Sequence, residues 1–147
     1  DKTLLYSSSD EGVAVVDENG TVTAVAPGSA KITVTAKSNT AKTRTVTVNV
    51  RPAKVNITYR KATEDGIRLE WDQSDYAEGY VIYRRNSAKG SGKNIGEIVT
   101  DDPEEMSFID SSAVKGKTYY YYIKSYITVG GKRLYSSASK IYKIKAK

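Results

Sequence analysis

The chain has 147 residues, 39% of them hydrophobic and 27% charged, so it can hold one ordinary domain or two small ones and is not a disordered tail. It has no cysteine and no histidine, which excludes disulfides, thiolate nucleophiles, imidazole bases and Cys/His zinc sites. The net charge is +6, and it is uneven: residues 1–50 hold five basic and five acidic residues, and residues 51–147 hold 18 basic and 12 acidic ones. This shift predicts a domain boundary near Val50-Arg51-Pro52.

Strand signals alternate with turn signals in residues 1–50. The apolar run 13–16 is followed by Asn19-Gly20 and a return strand at 21–25, which predicts a hairpin because both turn residues tolerate positive φ. Apolar and polar residues then alternate over 30–37 and 45–50, with the period of a strand. These patterns predict an all-β first segment.

The order of these residues resembles the bacterial immunoglobulin-like domain of group 2. The resemblance covers residues 5–50 and implies an Ig-like β-sandwich. Members of that family carry further strands before the Ser8-Ser9 segment, so we expect residues 1–50 to be the C-terminal part of such a domain. A partial sandwich should expose a sheet edge, which another chain or fragment could complete with a strand. The matching positions are Ser8, Ser9, Val13, Ala14, Val16, Asp17, Gly20, Val22, Ala24, Val25, Gly28, Ala30 and Ile32.

Alternating apolar residues also mark strands in residues 51–147 at 55–59 and 67–71, and further strands are predicted at 80–85, 95–100 and 106–110. Residues 87–93 are rich in Gly, Ser and Lys, which predicts a mobile loop. Residues 117–129 and 135–146 predict a closing hairpin across Gly130-Gly131. We expect Trp71 to lie at the centre of the core, with Leu69, Ile82, Tyr121 and Ile123 as neighbours.

The Trp71 strand, the segment Gly79-Tyr80-Val81-Ile82-Tyr83-Arg84 and the segment Gly116-Lys117-Thr118-Tyr119-Tyr120-Tyr121-Tyr122-Ile123 resemble a fibronectin type III domain. The resemblance covers residues 51–147 and implies a complete sandwich of about seven strands. The predicted fold is therefore all-β, a partial Ig-like sandwich followed by a complete fibronectin type III sandwich.

Three tyrosines are candidate ligand residues. Alternation along the strand places Tyr119, Tyr121 and Ile123 inward, so that Tyr120, Tyr122 and Tyr126 could form an outer aromatic face for sugar rings. The alternative is that the same side chains form cross-strand aromatic pairs that stabilise the hairpin.

A cluster of lysines and a cluster of acidic residues are two further candidate binding sites. Lys143, Lys145 and Lys147, with Lys117 and Lys124 beside them, could bind an acidic glycan, teichoic acid or nucleic acid, or could protect an edge strand from aggregation. We favour edge protection and expect no nucleic-acid partner. The acidic residues Asp101, Asp102, Glu104 and Glu105 could bind calcium, but their spacing favours a solvated turn.

The two resemblances imply a piece of a modular bacterial surface or secreted protein, from a Gram-positive organism. We expect a non-catalytic spacer or cell-adhesion module with neighbouring domains, and a glycan or host surface protein, as partners. The alternative is a carbohydrate-binding accessory module of a secreted glycan-degrading enzyme. We expect no enzyme activity, no catalytic residue, no metal site, no cofactor and no membrane insertion.

Overall fold

The computed structural model of the chain describes residues 2–100 and 102–147, and its regular structure is almost entirely β-strand. The all-β class predicted from the sequence is confirmed. The chain divides into two compact units, Asp1–Arg51 and Pro52–Lys147. The strands are β1 (Leu4–Ser8), β2 (Ala14–Val16), β3 (Val22–Ala24), β4 (Gly28–Ala36), β5 (Asn39–Val50), β6 (Ile57–Thr63), β7 (Gly66–Trp71), β8 (Gly79–Arg85), β9 (Lys93–Ile98), β10 (Ser107–Asp110), β11 (Thr118–Val129), β12 (Lys132–Tyr135) and β13 (Tyr142–Lys145).

The predicted hairpin of the first unit is present, with β2 paired antiparallel to β3. The turn is held by Asp17, whose Oδ1 accepts hydrogen bonds from the backbone N–H of Asn19 at 2.9 Å and of Thr21 at 2.8 Å. Gly20 has φ of 83°, a left-handed conformation that glycine adopts without strain. These bonds hold the Asp17 carboxylate in its charged form and lower its pKa.

The other sheet of the first unit has the order β1-β4-β5, with every pair antiparallel. Ala30 and Ile32 of β4 are buried, as the alternation of that segment predicts. Strand β1 has no period-2 pattern and was not expected from the sequence; it is held to the sheet by backbone pairing, from Leu4 opposite Ala36 to Ser8 opposite Ile32.

The second unit consists of two sheets. One has the order β10-β7-β6, and the other has the order β12-β11-β8-β9, with β13 also paired to β11. The core contains Trp71, which is 3% exposed and has its ring 5.5 Å from that of Tyr80. The neighbours predicted for Trp71 all lie in this core cluster: Leu69, Ile82, Tyr121 and Ile123. The inward prediction for Tyr119 is confirmed as well.

The closing hairpin differs from its predicted form because its second strand is divided into β12 and β13. Between these strands, two serines replace the regular backbone ladder. Ser136 donates its N–H to the carbonyl of Ser125, and its hydroxyl accepts the N–H of Ser125 at 3.0 Å. Ser139 forms the same pair of bonds with Ile123. A serine hydroxyl can therefore satisfy a buried backbone donor where a strand leaves its ladder.

Candidate functional site

The outer face of the five-stranded sheet carries the three tyrosines proposed for ligand binding. Tyr120 is half-buried, whereas Tyr122 and Tyr126 are only 6% and 4% exposed. All three lie outside the core cluster, so the low exposure of Tyr122 and Tyr126 comes from covering groups on the outer face. An open platform of three tyrosine rings is therefore not what the structure has, although sugar binding itself stays a prediction.

Tyr122 is covered from several sides. It lies opposite Tyr83 in the pairing of β11 with β8, and the two rings stack 4.9 Å apart with an interplanar angle of 6°. The guanidinium of Arg85 lies 5.0 Å from the centre of the Tyr122 ring. The backbone N–H of Gly92 donates to the Tyr122 hydroxyl at 3.1 Å, so the loop that we expected to be mobile is attached to the sheet.

Close approach at Gly92 requires a residue without a side chain. A Cβ at this position would lie 2.7 Å from the Tyr122 hydroxyl oxygen and 2.9 Å from Cβ of Tyr83. The glycine therefore lets the loop backbone reach the ring stack.

Tyr126 is covered by a cation and a second ring. Arg133 lies over the Tyr126 ring at 4.0 Å, and the Tyr135 ring meets it edge-on at 5.9 Å. Arg133 also makes a bidentate ion pair with Glu97, with both N···O distances at 3.0 Å. This pair lowers the pKa of Glu97 and raises that of Arg133. The covered rings support the structural alternative, in which aromatic and cationic pairs stabilise the sheet.

A buried polar cluster lies between the sheets around Asp110, which is 3% exposed. Its Oδ2 accepts bonds from the Tyr121 hydroxyl at 2.7 Å and from Arg84 at 2.8 Å, and its Oδ1 accepts the hydroxyl and N–H of Ser112. Burial alone would raise the pKa of Asp110, but the hydrogen bonds outweigh it and lower the pKa. Burial and the bond to Asp110 raise the pKa of Tyr121. The carboxylate is therefore a fixed anion that neither gives nor takes a proton near neutral pH.

Sequence reasoning missed this cluster and also the covering arginines. Asp110 follows an apolar strand and reads as an ordinary turn residue. The position of Arg85 on the outer face could have been predicted, because Arg85 lies two residues from Tyr83 and therefore on the same face of β8.

The described residues of the acidic turn, Asp102, Glu104 and Glu105, form a short helix and its cap. Pro103–Glu105 is a short 3-10 helix, and Asp102 caps it by accepting the N–H of Glu104 at 2.9 Å. Glu105 accepts the hydroxyl of Thr100. Asp101, the remaining candidate calcium ligand, lies outside the described residues. In the part of the chain that is described, no three acidic side chains are close enough together to hold a metal ion.

The lysines of the last strand lie beside β11. Lys145 is opposite Thr118, and Lys143 is opposite Tyr120, which also lies opposite Arg85 of β8. Lys143, Tyr120 and Arg85 therefore form one row across three strands, with Lys124 further along β11. Lys147 and Lys117 are exposed and lie outside the strands.

Comparison with protein families gives two matches in chain order. Residues 1–48 match the bacterial Ig-like domain (group 2), and residues 54–142 match a fibronectin type III domain described as the third domain of SaeA. No curated protein matches the chain. Among the described residues there is no helix long and apolar enough to cross a membrane.

Two solved structures that match are of one S-layer protein. The first, "S-layer protein rSbsC(31-844)", is 17% identical with a TM-score of 0.34, over 94% of this chain and 20% of that one. The second, "S-layer protein SbsC domains 4 and 5", has the same identity and TM-score and is covered over 70% of its length. This chain thus spans about a fifth of the longer structure. The order and extent of the two family matches show that the chain belongs to the fibronectin type III family through residues 54–142, preceded by a bacterial Ig-like domain of group 2.

Proposed function

We propose that this chain is a non-catalytic spacer or adhesion module of a bacterial cell-surface or secreted multidomain protein. The observation that carries the proposal is that the buried carboxylate of Asp110 is occupied by structural hydrogen bonds. Asp110 is engaged by Tyr121, Arg84 and Ser112, and its pKa is lowered. General acid catalysis near neutral pH needs a carboxyl whose pKa is raised, and nucleophilic catalysis needs a nucleophile beside a base. The cluster has the properties of a structural element.

The covered tyrosines favour the spacer role over the carbohydrate-binding alternative. Stacking of neutral sugars needs free ring faces, and those of Tyr122 and Tyr126 are occupied by Tyr83, Arg85 and Arg133. A module of this kind acts through its neighbouring domains in a larger protein. We place that protein outside the cell or on its surface.

We propose further that residues 1–50 are the C-terminal part of an Ig-like domain that is completed by strands outside this segment. Strand β5 forms one edge of its sheet, and its first nine residues are all exposed. Leu4, Leu5 and Val46 are 46%, 47% and 61% exposed. An open apolar cleft of about 470 Å³ lies along Leu4, Val34 and Ala36. An added strand would pair with this edge, and further added strands would pack over the apolar cleft.

The non-catalytic role is tested by incubating the purified chain with polysaccharide, peptide and ester substrates and measuring products by mass spectrometry. We expect no product beyond that formed with heat-denatured chain. A product formed only by the folded chain contradicts the proposal. Binding of neutral glycans that is lost in Tyr122→Leu would instead support the carbohydrate-binding alternative.

A further inference from the structure

Four cations lie on the outer face of the five-stranded sheet without a carboxylate partner. Arg85 is on β8, Lys124 on β11, and Lys143 and Lys145 on β13. Among the described residues, none of the four forms an ion pair. By contrast, Arg133 on the same face is neutralised by Glu97. The positive charges of these four side chains are therefore not offset by salt bridges to other described residues.

Protection of an edge strand does not account for this arrangement. Lys143 and Lys145 do lie on a short strand paired to β11 alone. Arg85 and Lys124, however, lie on strands with partners on both sides, since β8 lies between β11 and β9, and β11 lies between β8 and the strands β12 and β13. Interior strands have no free edge to protect. Edge protection can therefore explain Lys143 and Lys145, but the positive charges of Arg85 and Lys124 at the middle of the sheet need a different explanation.

Sheet geometry gives the spacing of the four charges. Lys143 and Arg85 lie on either side of Tyr120 in one cross-strand row, so their Cα atoms are roughly 10 Å apart. Lys145 is two residues from Lys143, about 7 Å along the strand, and Lys124 is four residues from Tyr120, about 13 Å along it. The charges are spread over three strands and do not converge on one point. This arrangement fits a ligand with repeated anionic groups.

The aromatic residue within the row is Tyr120, the partly open member of the predicted tyrosine face. In the strand pairing, Tyr120 lies opposite Lys143 on one side and opposite Arg85 on the other. Arg85 is held over Tyr122 at 5.0 Å, and its Nη1 donates to the carbonyl of Ala88 at 3.3 Å, so the planar guanidinium is positioned before a ligand arrives. One sugar ring over Tyr120 could therefore place acidic substituents near both cations.

We propose that this face, Arg85, Tyr120, Lys124, Lys143 and Lys145, binds an anionic polysaccharide. The inference goes beyond the spacer role and does not depend on it. Single-stranded nucleic acid is disfavoured, because its bases need open ring faces on which to stack, and those of Tyr83, Tyr122 and Tyr126 are covered. The anionic groups can be carboxylates or phosphates, since an ammonium or guanidinium binds either.

The test uses the whole chain with polymers of one backbone: neutral dextran, carboxymethyl-dextran and dextran phosphate, with oligo(dT) as a nucleic-acid probe. The face variant carries Arg85→Gln, Lys124→Gln, Lys143→Gln and Lys145→Gln. The matched control changes four exposed lysines outside this face to Gln: Lys54, Lys61, Lys115 and Lys132. Both variants lose four charges, and circular dichroism and thermal unfolding check their folding. Should the face variant unfold, the triple variant that retains Arg85 replaces it.

We expect charged dextran to bind in low salt and neutral dextran not to bind, with the better of the two charged polymers identifying the anion. The Kd should rise by at least about tenfold in the face variant, and by less than about twofold in the control. Tyr120→Ala, which changes no charge, should weaken binding by about three- to tenfold, and Tyr120→Phe by less. The proposal is overturned by absence of binding to both charged dextrans, by equal losses in the two variants, or by tighter binding of oligo(dT).

Discussion

Replacement of Asp110 by Asn tests whether the buried cluster stabilises the second unit. The substitution keeps the size of the side chain and an oxygen acceptor. It can place an NH₂ group at the position of Oδ2, which accepts hydrogen bonds from Tyr121 and Arg84. An NH₂ group cannot accept these bonds, so both would be lost. The substitution also removes the charge that Arg84 faces, and the Arg84 side chain is only 19% exposed. Removal of one partner of a buried ion pair costs about 3–5 kcal/mol, and we expect a loss of unfolding free energy in that range.

The assay is urea denaturation followed by tryptophan fluorescence. Trp71 is the single tryptophan and lies in the core of the second unit, so its emission reports on that unit. The matched control is Asp65→Asn, which neutralises an exposed carboxylate in the turn between β6 and β7. The expected change for the control is below about 0.5 kcal/mol. An Asp110→Asn variant as stable as this control would refute the structural role of the cluster.

The same cluster predicts a pH dependence with a definite sign. The pKa of Asp110 is lower in the folded state than its ordinary value, so the unfolded chain binds the proton more readily. The contribution of Asp110 is thus fully present above the ordinary aspartate pKa of about 3.9 and is lost as the pH falls through the lowered folded-state value. Asp110→Asn should lack this component, and its stability should therefore fall less between pH 5 and acid pH than that of the parent chain.

Two further predictions concern the core and the first unit. Trp71→Ala should cost about 3–5 kcal/mol in the same urea assay, because it leaves a large cavity among Leu69, Tyr80 and Ile123; an equally stable variant would contradict the core assignment. In hydrogen exchange on the intact chain, the amides of β5 that point away from β4 should exchange at least about a hundredfold faster than those of β4. Slow exchange throughout β5 in a chain shown to be monomeric would mean that the first unit is complete without further strands.

Local patterns were sufficient to predict the hairpin at Asn19-Gly20 and the core around Trp71. A two-residue turn signal lies within a few positions of the strands that it joins, and a period of two fixes which side chains share a face. The prediction for the second half of the closing hairpin was less accurate. Ser136 and Ser139 satisfy backbone groups of β11 by their hydroxyls, and no local pattern distinguishes such serines from strand residues.

The sequence by itself determined that the protein is all-β, that it carries two family signatures, and that Tyr120, Tyr122 and Tyr126 face away from the core. Only the tertiary structure decided which of these rings stay open. Tyr122 and Tyr126 are covered by Arg85 and Arg133, residues that lie 37 and 7 positions away in the chain. Alternation fixes the face of a side chain, but its neighbours on that face depend on the register between strands, which is set by the packing of the whole sandwich.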